Sequence, residues 1–252
     1  MRFASVRGAK HRYYRQPRQD AARAAVHEAT GSIAFAVADG VSSATNPELG
    51  AVEACRAAVD TLLHLLDRTQ EPLDFRLVAD HAAERLRQVA RRRLGGREPD
   101  AAEVAGLYAT TLVTGVVRPD SEGALADICR VADSGAWALD TASGRYESLF
   151  DAKSGSDAVV VSNEVTPLPY VPDVIEQAAI HLTSRQVLLV GTDGFGDPLG
   201  DGDGQVGTLF AAHLAEPTPP LWLAHLLDFS RETFDDDRTL LVIWPHDSAG
   251  RR

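Results

Sequence analysis

The sequence predicts an α+β layered sandwich built from mainly antiparallel sheets. Strand-like patterns occur in runs, with paired helical patterns inserted between them rather than in a regular βαβ alternation. At residues 33–38 the alternation marks a strand packed on both faces. An apolar share of 44% in 252 residues supports a substantial buried core. No repeat, low-complexity tract or long Pro/Gly/Ser linker interrupts the chain, so one domain is expected over residues 1–247, followed by a short polar tail at 248–252.

In the first of these strands Ile33, Phe35 and Val37 alternate with Ala34, Ala36 and Ala38, giving one large and one small face, and the strand runs into Asp39-Gly40. Asn46 as N-cap and Pro47 at the first helical position open a helix, with Val52, Cys55, Val59, Leu62 and Leu66 at helical spacing. A second helix is expected over about 74–94, with Val78, Ala82, Leu86 and Val89 on one face and Gly95-Gly96 at its end. Strands follow at 108–117, 125–132 and 136–140, the last paired with 146–150 through a Ser143-Gly144 turn. Pro167, Pro169 and Pro172 break residues 151–181 into loop. A buried strand at 186–190 ends at Thr192-Asp193-Gly194. Helices at 208–215 and 221–232, the second opened by Thr218 and Pro219, precede a closing strand at 239–244. Trp137, Trp222 and Trp244 sit in apolar patterns and are expected in the core.

Charge narrows the function classes. With 36 acidic residues against 25 Lys and Arg, the net charge of −11 disfavours nucleic acid and anionic membranes as partners and suits metal cations. No stretch reaches the roughly 18 to 20 apolar residues that span a bilayer. Residues 1–20 are basic and polar without the apolar run of a signal peptide, so the expected location is cytoplasmic. Cys55 and Cys129 have no Cys or His at ligand spacing and read as buried free thiols. Arg91-Arg92-Arg93 falls in the last turn of a helix, where the dipole favours cations and a solvated face is expected. Asp197, Asp201 and Asp203 form an acidic loop that lacks the glycine and glutamate of a calcium loop.

Chemistry concentrates at strand ends. Asp39 follows Ala34-Phe35-Ala36-Val37-Ala38, Asp193 follows Leu188-Leu189-Val190-Gly191-Thr192, and Asp236-Asp237 stand just before Thr239-Leu240-Leu241-Val242-Ile243. A carboxylate at the rigid end of a buried strand costs desolvation energy unless a cation or donor compensates it. Oxygen-rich clusters of this kind suit Mg²⁺ or Mn²⁺. Any one Asp-Gly pair alone reads as a turn. Three strand-end acidic sites in this context read as one converging site.

The motifs in order are Arg15-Gln16-Pro17-Arg18-Gln19-Asp20-Ala21, Val37-Ala38-Asp39-Gly40-Val41-Ser42-Ser43, Ala109-Thr110-Thr111-Leu112-Val113, Val131-Ala132-Asp133-Ser134-Gly135, Thr192-Asp193-Gly194-Phe195 and Asp236-Asp237-Arg238-Thr239. In that order the chain resembles the metal-dependent serine/threonine protein phosphatases of type 2C, the PPM family, over essentially its whole length. The resemblance implies a four-layer α-β-β-α sandwich, with two mainly antiparallel sheets flanked by helix pairs. It implies hydrolysis of phosphoserine or phosphothreonine in proteins, opposing a kinase, through a water shared by two Mn²⁺ or Mg²⁺ ions. Carried over by motif, Asp39 bridges the ions, Gly40 offers its carbonyl, and Asp20, Asp193 and Asp236 complete the shells. Asp237 orients the neighbouring loop.

Arg15, five residues before Asp20, occupies the place of the family's phosphate-binding arginine. The alternative is that Lys10, Arg12, Arg15 and Arg18, interleaved with Tyr13 and Tyr14, form a solvated or nucleic-acid-contacting arm. His11 is a candidate general acid, because imidazole titrates near neutrality, set against an incidental exposed histidine. The chain departs from the family at Gln19, where Glu is usual, and at Gly135, where many members carry Arg. A third-ion ligand is missing near Val104, where only Asp100 and Glu103 are close. Gln19 and Gly135 sustain a rival reading, a catalytically impaired phosphoprotein-binding regulatory module of the same fold. A hydrolase of small phosphorylated molecules is a third.

Overall fold

The alternation at residues 33–38 becomes a strand with two dry faces, and the molecule is layered around it. The computed structural model describes residues 1–68, 72–150, 166–231 and 233–245. The chain opens with β1 (Arg2–Val6), α1 (Ala9–Tyr13), β2 (Ala21–His27), β3 (Ser32–Ala38), α2 (Pro47–Arg68), α3 (Phe75–Arg93) and α4 (Ala101–Tyr108). Next come β4 (Leu112–Asp120), β5 (Gly123–Val131), β6 (Gly135–Asp140), β7 (Arg145–Ser148), β8 (Glu176–Thr183) and β9 (Gln186–Gly191). It closes with α5 (Asp193–Leu199), α6 (Gln205–His213), α7 (Pro220–Leu227) and β10 (Arg238–Ile243).

The strands form two five-stranded sheets, ordered β1-β10-β9-β6-β7 and β2-β3-β4-β5-β8. Every neighbouring pair is antiparallel. Phe35, Val37, Val113, Leu188, Val190 and Leu241 share the cluster between the sheets. The alanine face of β3 packs against Ala51, Ala54 and Ala58 of α2, with Val78 and Ala82 of α3 in the same cluster. Small side chains there let the helix approach, while large ones fill the space between the sheets. Opposite Phe35, a Cβ on Gly115 would stand 3.0 Å from the ring and 2.4 Å from the Asp127 carbonyl, so only glycine fits. Beyond the other sheet, Trp137, Leu189 and Val242 meet Phe195, Phe210 and Leu223. The four-layer α-β-β-α sandwich is therefore present, with three short helices, α5 to α7, in place of a pair on this side.

Several elements differ from the sequence reading, each for a local reason. Val52 is 42% exposed, because the buried stripe of α2 runs through Ala51, Ala54, Cys55 and Ala58. α3 matches, with the Asp74 carboxylate accepting from Leu77 N at 3.0 Å. The strand expected at 108–117 starts only at Leu112, and residues 101–108 are helical behind a capping box of Asp100 and Glu103. Residues 176–181, expected as loop, begin edge strand β8, while 151–165 and the tail at 248–252 lie outside the described residues. Glycines and Pro198 hide α5 from the helical pattern. α7 ends at Leu227 rather than 232, and Thr218 bonds to the His213 carbonyl at 2.7 Å rather than capping it. Trp222 is 46% exposed, outside the core that holds Trp137 and Trp244. Cys55 and Cys129 are buried free thiols as expected. No helix among the described residues is long and apolar enough to cross a membrane.

Candidate metal centre

Asp39 stands one residue beyond β3, and its backbone is held on both sides. Asp39 N donates to Thr111 Oγ1 at 2.9 Å, while Thr110 Oγ1 and Thr111 N both donate to Asp39 O at 2.8 Å. Thr111 Oγ1 in turn pairs with Ser134 Oγ at 2.7 Å. The two threonines and Ser134 thus fix the strand end that carries the carboxylate. Gly40 N donates to the Gln19 carbonyl at 3.2 Å. A side chain at Gly40 would begin 2.5 Å from the Pro47 backbone, which packs the start of α2 against the site.

Asp20 directly precedes β2 and is 2% exposed. Its Oδ2 accepts from Thr192 Oγ1 at 2.8 Å, and the same hydroxyl accepts from Thr239 N at 3.1 Å. Asp193 opens α5 just past β9. The carboxyls of Asp20 and Asp193 both come within hydrogen-bonding reach of Asp39. Burial, then the charges of Asp20 and Asp193, push the Asp39 carboxyl up to about 11. Burial raises Asp20 to about 7 against the hydrogen bonds from Thr239 and Thr192. Burial, with the charges of Asp133, Asp236 and Asp197 adding to it, raises Asp193 to about 6. Asp20 Oδ1 and Asp193 Oδ1 are buried without a hydrogen-bond partner. Three crowded carboxyls with orphaned oxygens need protons or cations, and an all-oxygen donor set matches a hard divalent ion. The residues present fit such an ion.

Asp236 lies at the rim, its side chain 43% exposed, with Oδ1 accepting from Asp237 N at 2.8 Å. Asp237 is 2% exposed and has both oxygens engaged, Oδ1 by Gly8 N at 2.7 Å and Oδ2 by Gln19 N at 2.6 Å. It therefore ties the N-terminal arm to the strand-end cluster across the whole sequence. The carbonyl of Asp237 would meet a Cβ on Gly194 at 1.9 Å, so a glycine after Asp193 is required by this approach. Replacing Asp237 with Ala strands two buried backbone donors. We expect a loss on the order of 3 kcal/mol in denaturant unfolding.

His11 is a correction to the exposed histidine of the sequence reading, because only 1% of it is accessible. Its Nδ1 lies 2.9 Å from Asp237 Oδ2 and 3.7 Å from Asp236 Oδ1, without the alignment of a hydrogen bond. His11, Asp236 and Asp237 bring one ligand atom each within 4.8 Å of one another, but the oxygens of Asp237 already serve the arm. Arg15 follows α1 in the left-handed region at φ 58, exposed, and its guanidinium has no hydrogen bond or ion pair among the described residues. The structure thus brings Asp20, Asp39 and Asp193 together, sets Asp236 beside them, and leaves Arg15 on the arm.

The departures from the family also find physical reasons. Gln19 Oε1 accepts from Ser42 Oγ at 3.0 Å, linking the first motif to the loop after Gly40. A Cβ on Gly135 would stand 2.5 Å from the Trp137 ring, which occupies the space a side chain would need. Asp100 and Glu103 are committed to the α4 cap, and Glu103 also pairs with Arg97. Asp133, whose charge acts on Asp193, stands outside the ligand set that the motifs give. Its signal is the Ala132-Asp133-Ser134 strand end, where Ala132 turns the chain at φ 74.

Residues 7–228 match the family described as Protein phosphatase 2C. No curated protein sequence matches the chain. The fold is similar to that of the S. agalactiae serine/threonine phosphatase, with a TM-score of 0.62 at 17% identity over 96% of this chain and 97% of that one. A bacterial serine phosphatase aligns at a TM-score of 0.58 and 14% identity, covering 96% and 95%. RsbX in complex with magnesium aligns at 0.56 and 11%, covering 95% and 92%.

Proposed function

The chain belongs to the protein phosphatase 2C family, and from that premise we propose that it hydrolyses phosphoserine and phosphothreonine in cytoplasmic proteins, opposing a kinase. The observation that carries this reading is the buried convergence of Asp20, Asp39 and Asp193 with two carboxylate oxygens left unpartnered. Asp39, the Gly40 carbonyl, Asp20, Asp193 and Asp236 would hold two Mn²⁺ or Mg²⁺ ions. When bound, such ions supply Lewis acidity at phosphorus and activate water.

The protein's own groups do the positioning. Thr110, Thr111 and Ser134 hold Asp39 at the strand end, so its carboxylate reaches the centre without reorganising. Arg15 binds the phosphoryl oxygens bidentately and offsets their charge. Asp237 fixes the backbone at Gly8 and Gln19, the two ends of the arm that carries Arg15. His11, buried against Asp237, keeps α1 seated and is a positioning residue rather than a proton donor to bulk-exposed substrate.

Hydrolysis of p-nitrophenyl phosphate and of a phosphothreonine peptide, with Mn²⁺ or Mg²⁺ and with EDTA, tests the reading. Turnover indifferent to EDTA would overturn it, and phosphopeptide binding without turnover would favour the impaired regulatory module. Turnover of small esters with peptides left intact would favour the small-molecule hydrolase. Arg15→Ala is expected to lower kcat/KM by about 10- to 100-fold, the worth of one charged hydrogen-bonding contact. Its melting temperature should stay unchanged, because Arg15 is exposed.

A further inference from the structure

α7 carries more apolar surface than its place in the fold requires. Leu223, Leu226 and Leu227 already anchor it in the core beneath the first sheet. On its other side Leu221 is 84% exposed and Trp222 46%. These two, with Pro219, His225 and Asp228, line one side of a groove of about 830 Å³ that Val6, Arg7 and Arg12 also line. Apolar surface of this kind rimmed by polar groups marks a contact site, and Trp and Arg are the side chains that most often dominate one.

The rim gives the sign of the partner. In a chain of net charge −11, the arm beside the groove is cationic through Arg7, Lys10 and Arg12. Arg12 is held by Asp228 at 2.9 Å, and Arg7 lies along the arm with Nη1 donating to the Gln16 carbonyl at 3.2 Å. Asp228 lines the groove too and neutralises Arg12, so among the described residues the positive charge outside an ion pair is that of Arg7, with Lys10 beside it on the arm, and such charge on a negative body favours an acidic segment. The groove also adjoins the metal centre through the backbone: Arg7 precedes Gly8, whose N–H is bound by Asp237, and Lys10 N donates to the Asp235 carbonyl at 3.1 Å.

We propose that the groove between α7 and the N-terminal arm docks the phosphoprotein substrate itself, through an acidic segment bearing one bulky apolar side chain at a distance from the phosphorylated residue. This rests on the phosphatase reading above. The apolar side chain fills the space over Leu221 and Trp222, and flanking carboxylates meet Arg7.

The test compares a short phosphothreonine peptide with the same peptide extended, on either side, by a linker and a leucine flanked by glutamates. The extension should lower KM about tenfold with kcat unchanged. Leu221→Glu, at a position too exposed to disturb folding, should erase that gain while leaving p-nitrophenyl phosphate turnover intact, and Arg7→Glu should erase it as well. Equal KM for short and extended peptides, or variants that keep the gain, overturns the proposal. Binding of the non-phosphorylated extension, read by anisotropy, separates this from failure of the catalytic reading. If no ester is hydrolysed, binding that Leu221→Glu abolishes still supports the groove, and absence of binding overturns it. Concentration-dependent dimerisation lost in Leu221→Glu would assign the groove to a second copy of the chain and overturn it too.

Discussion

Asp39→Asn is expected to remove phosphatase turnover by at least a thousandfold while leaving the metal-free protein as stable as before, or more so. The carboxyl sits between those of Asp20 and Asp193, and burial with their charges pushes it up to about 11. In the metal-free fold that arrangement is costly, and a neutral amide of the same shape relieves it. The backbone contacts of residue 39 with Thr110 and Thr111 do not depend on its side chain, so the strand end stays in place. With divalent ions the balance reverses, because the amide cannot supply the central negative ligand. Loss of one preorganised electrostatic contact alone costs about 10²–10³ in rate, and Asp39 serves the whole cluster. Activity and thermal melting with and without Mn²⁺ check both halves. A variant that loses activity because it unfolds would contradict this account, as would one that keeps activity.

Metal-free protein should lose stability as pH rises from about 5 to 8, and Mn²⁺ or Mg²⁺ should restore it, by more at pH 8 than at pH 5. The carboxyls of Asp20, Asp39 and Asp193 are all raised in the fold, to about 7, 11 and 6, while an unfolded chain releases these protons near pH 4. Above that point the folded state holds more protons than the unfolded one, so stability falls with rising pH. The loss is steepest below about pH 6, where all three folded groups remain protonated. It continues more shallowly through pH 7 as Asp193 and then Asp20 ionise in the fold. Cations replace the protons and remove the penalty, most where protons are scarce. Each kcal/mol moves the melting midpoint of a chain of this size by about 2–4 °C, so scans at three pH values with and without Mn²⁺ resolve the trend. Stability that rises from pH 5 to 8 without metal would refute it.

Both results turn largely on Asp39 and Asp193, which stand out in the sequence itself, and the reason is chemical. An aspartate at the end of an apolar strand is legible as an anomaly, since the strand's periodicity explains the neighbours and not the acid. Asp39 and Asp193 stand out this way, and the Ala face of β3 announces a closely packed helix. Less is legible where the sequence pattern is weak. β2 is mostly alanine, a residue with no strand preference, and becomes a strand because β3 offers its edge in register from Ala21 opposite Ala38 to His27 opposite Ser32. α4 escapes the pattern although Asp100 and Glu103 carry a capping-box spacing, because the apolar face of eight residues is too short to show a period.

The sequence by itself determined the layered α+β class, the order of the motifs and the strand-end place of Asp39, Asp193 and Asp236. Those properties depend on residues close together in the chain. Only the tertiary structure decided that His11 is buried, that Trp222 is half exposed, and that Asp237 spends both oxygens on Gly8 and Gln19. Burial and partnership at such positions are set by contacts between segments more than two hundred residues apart. No local pattern encodes which two ends of a chain will meet.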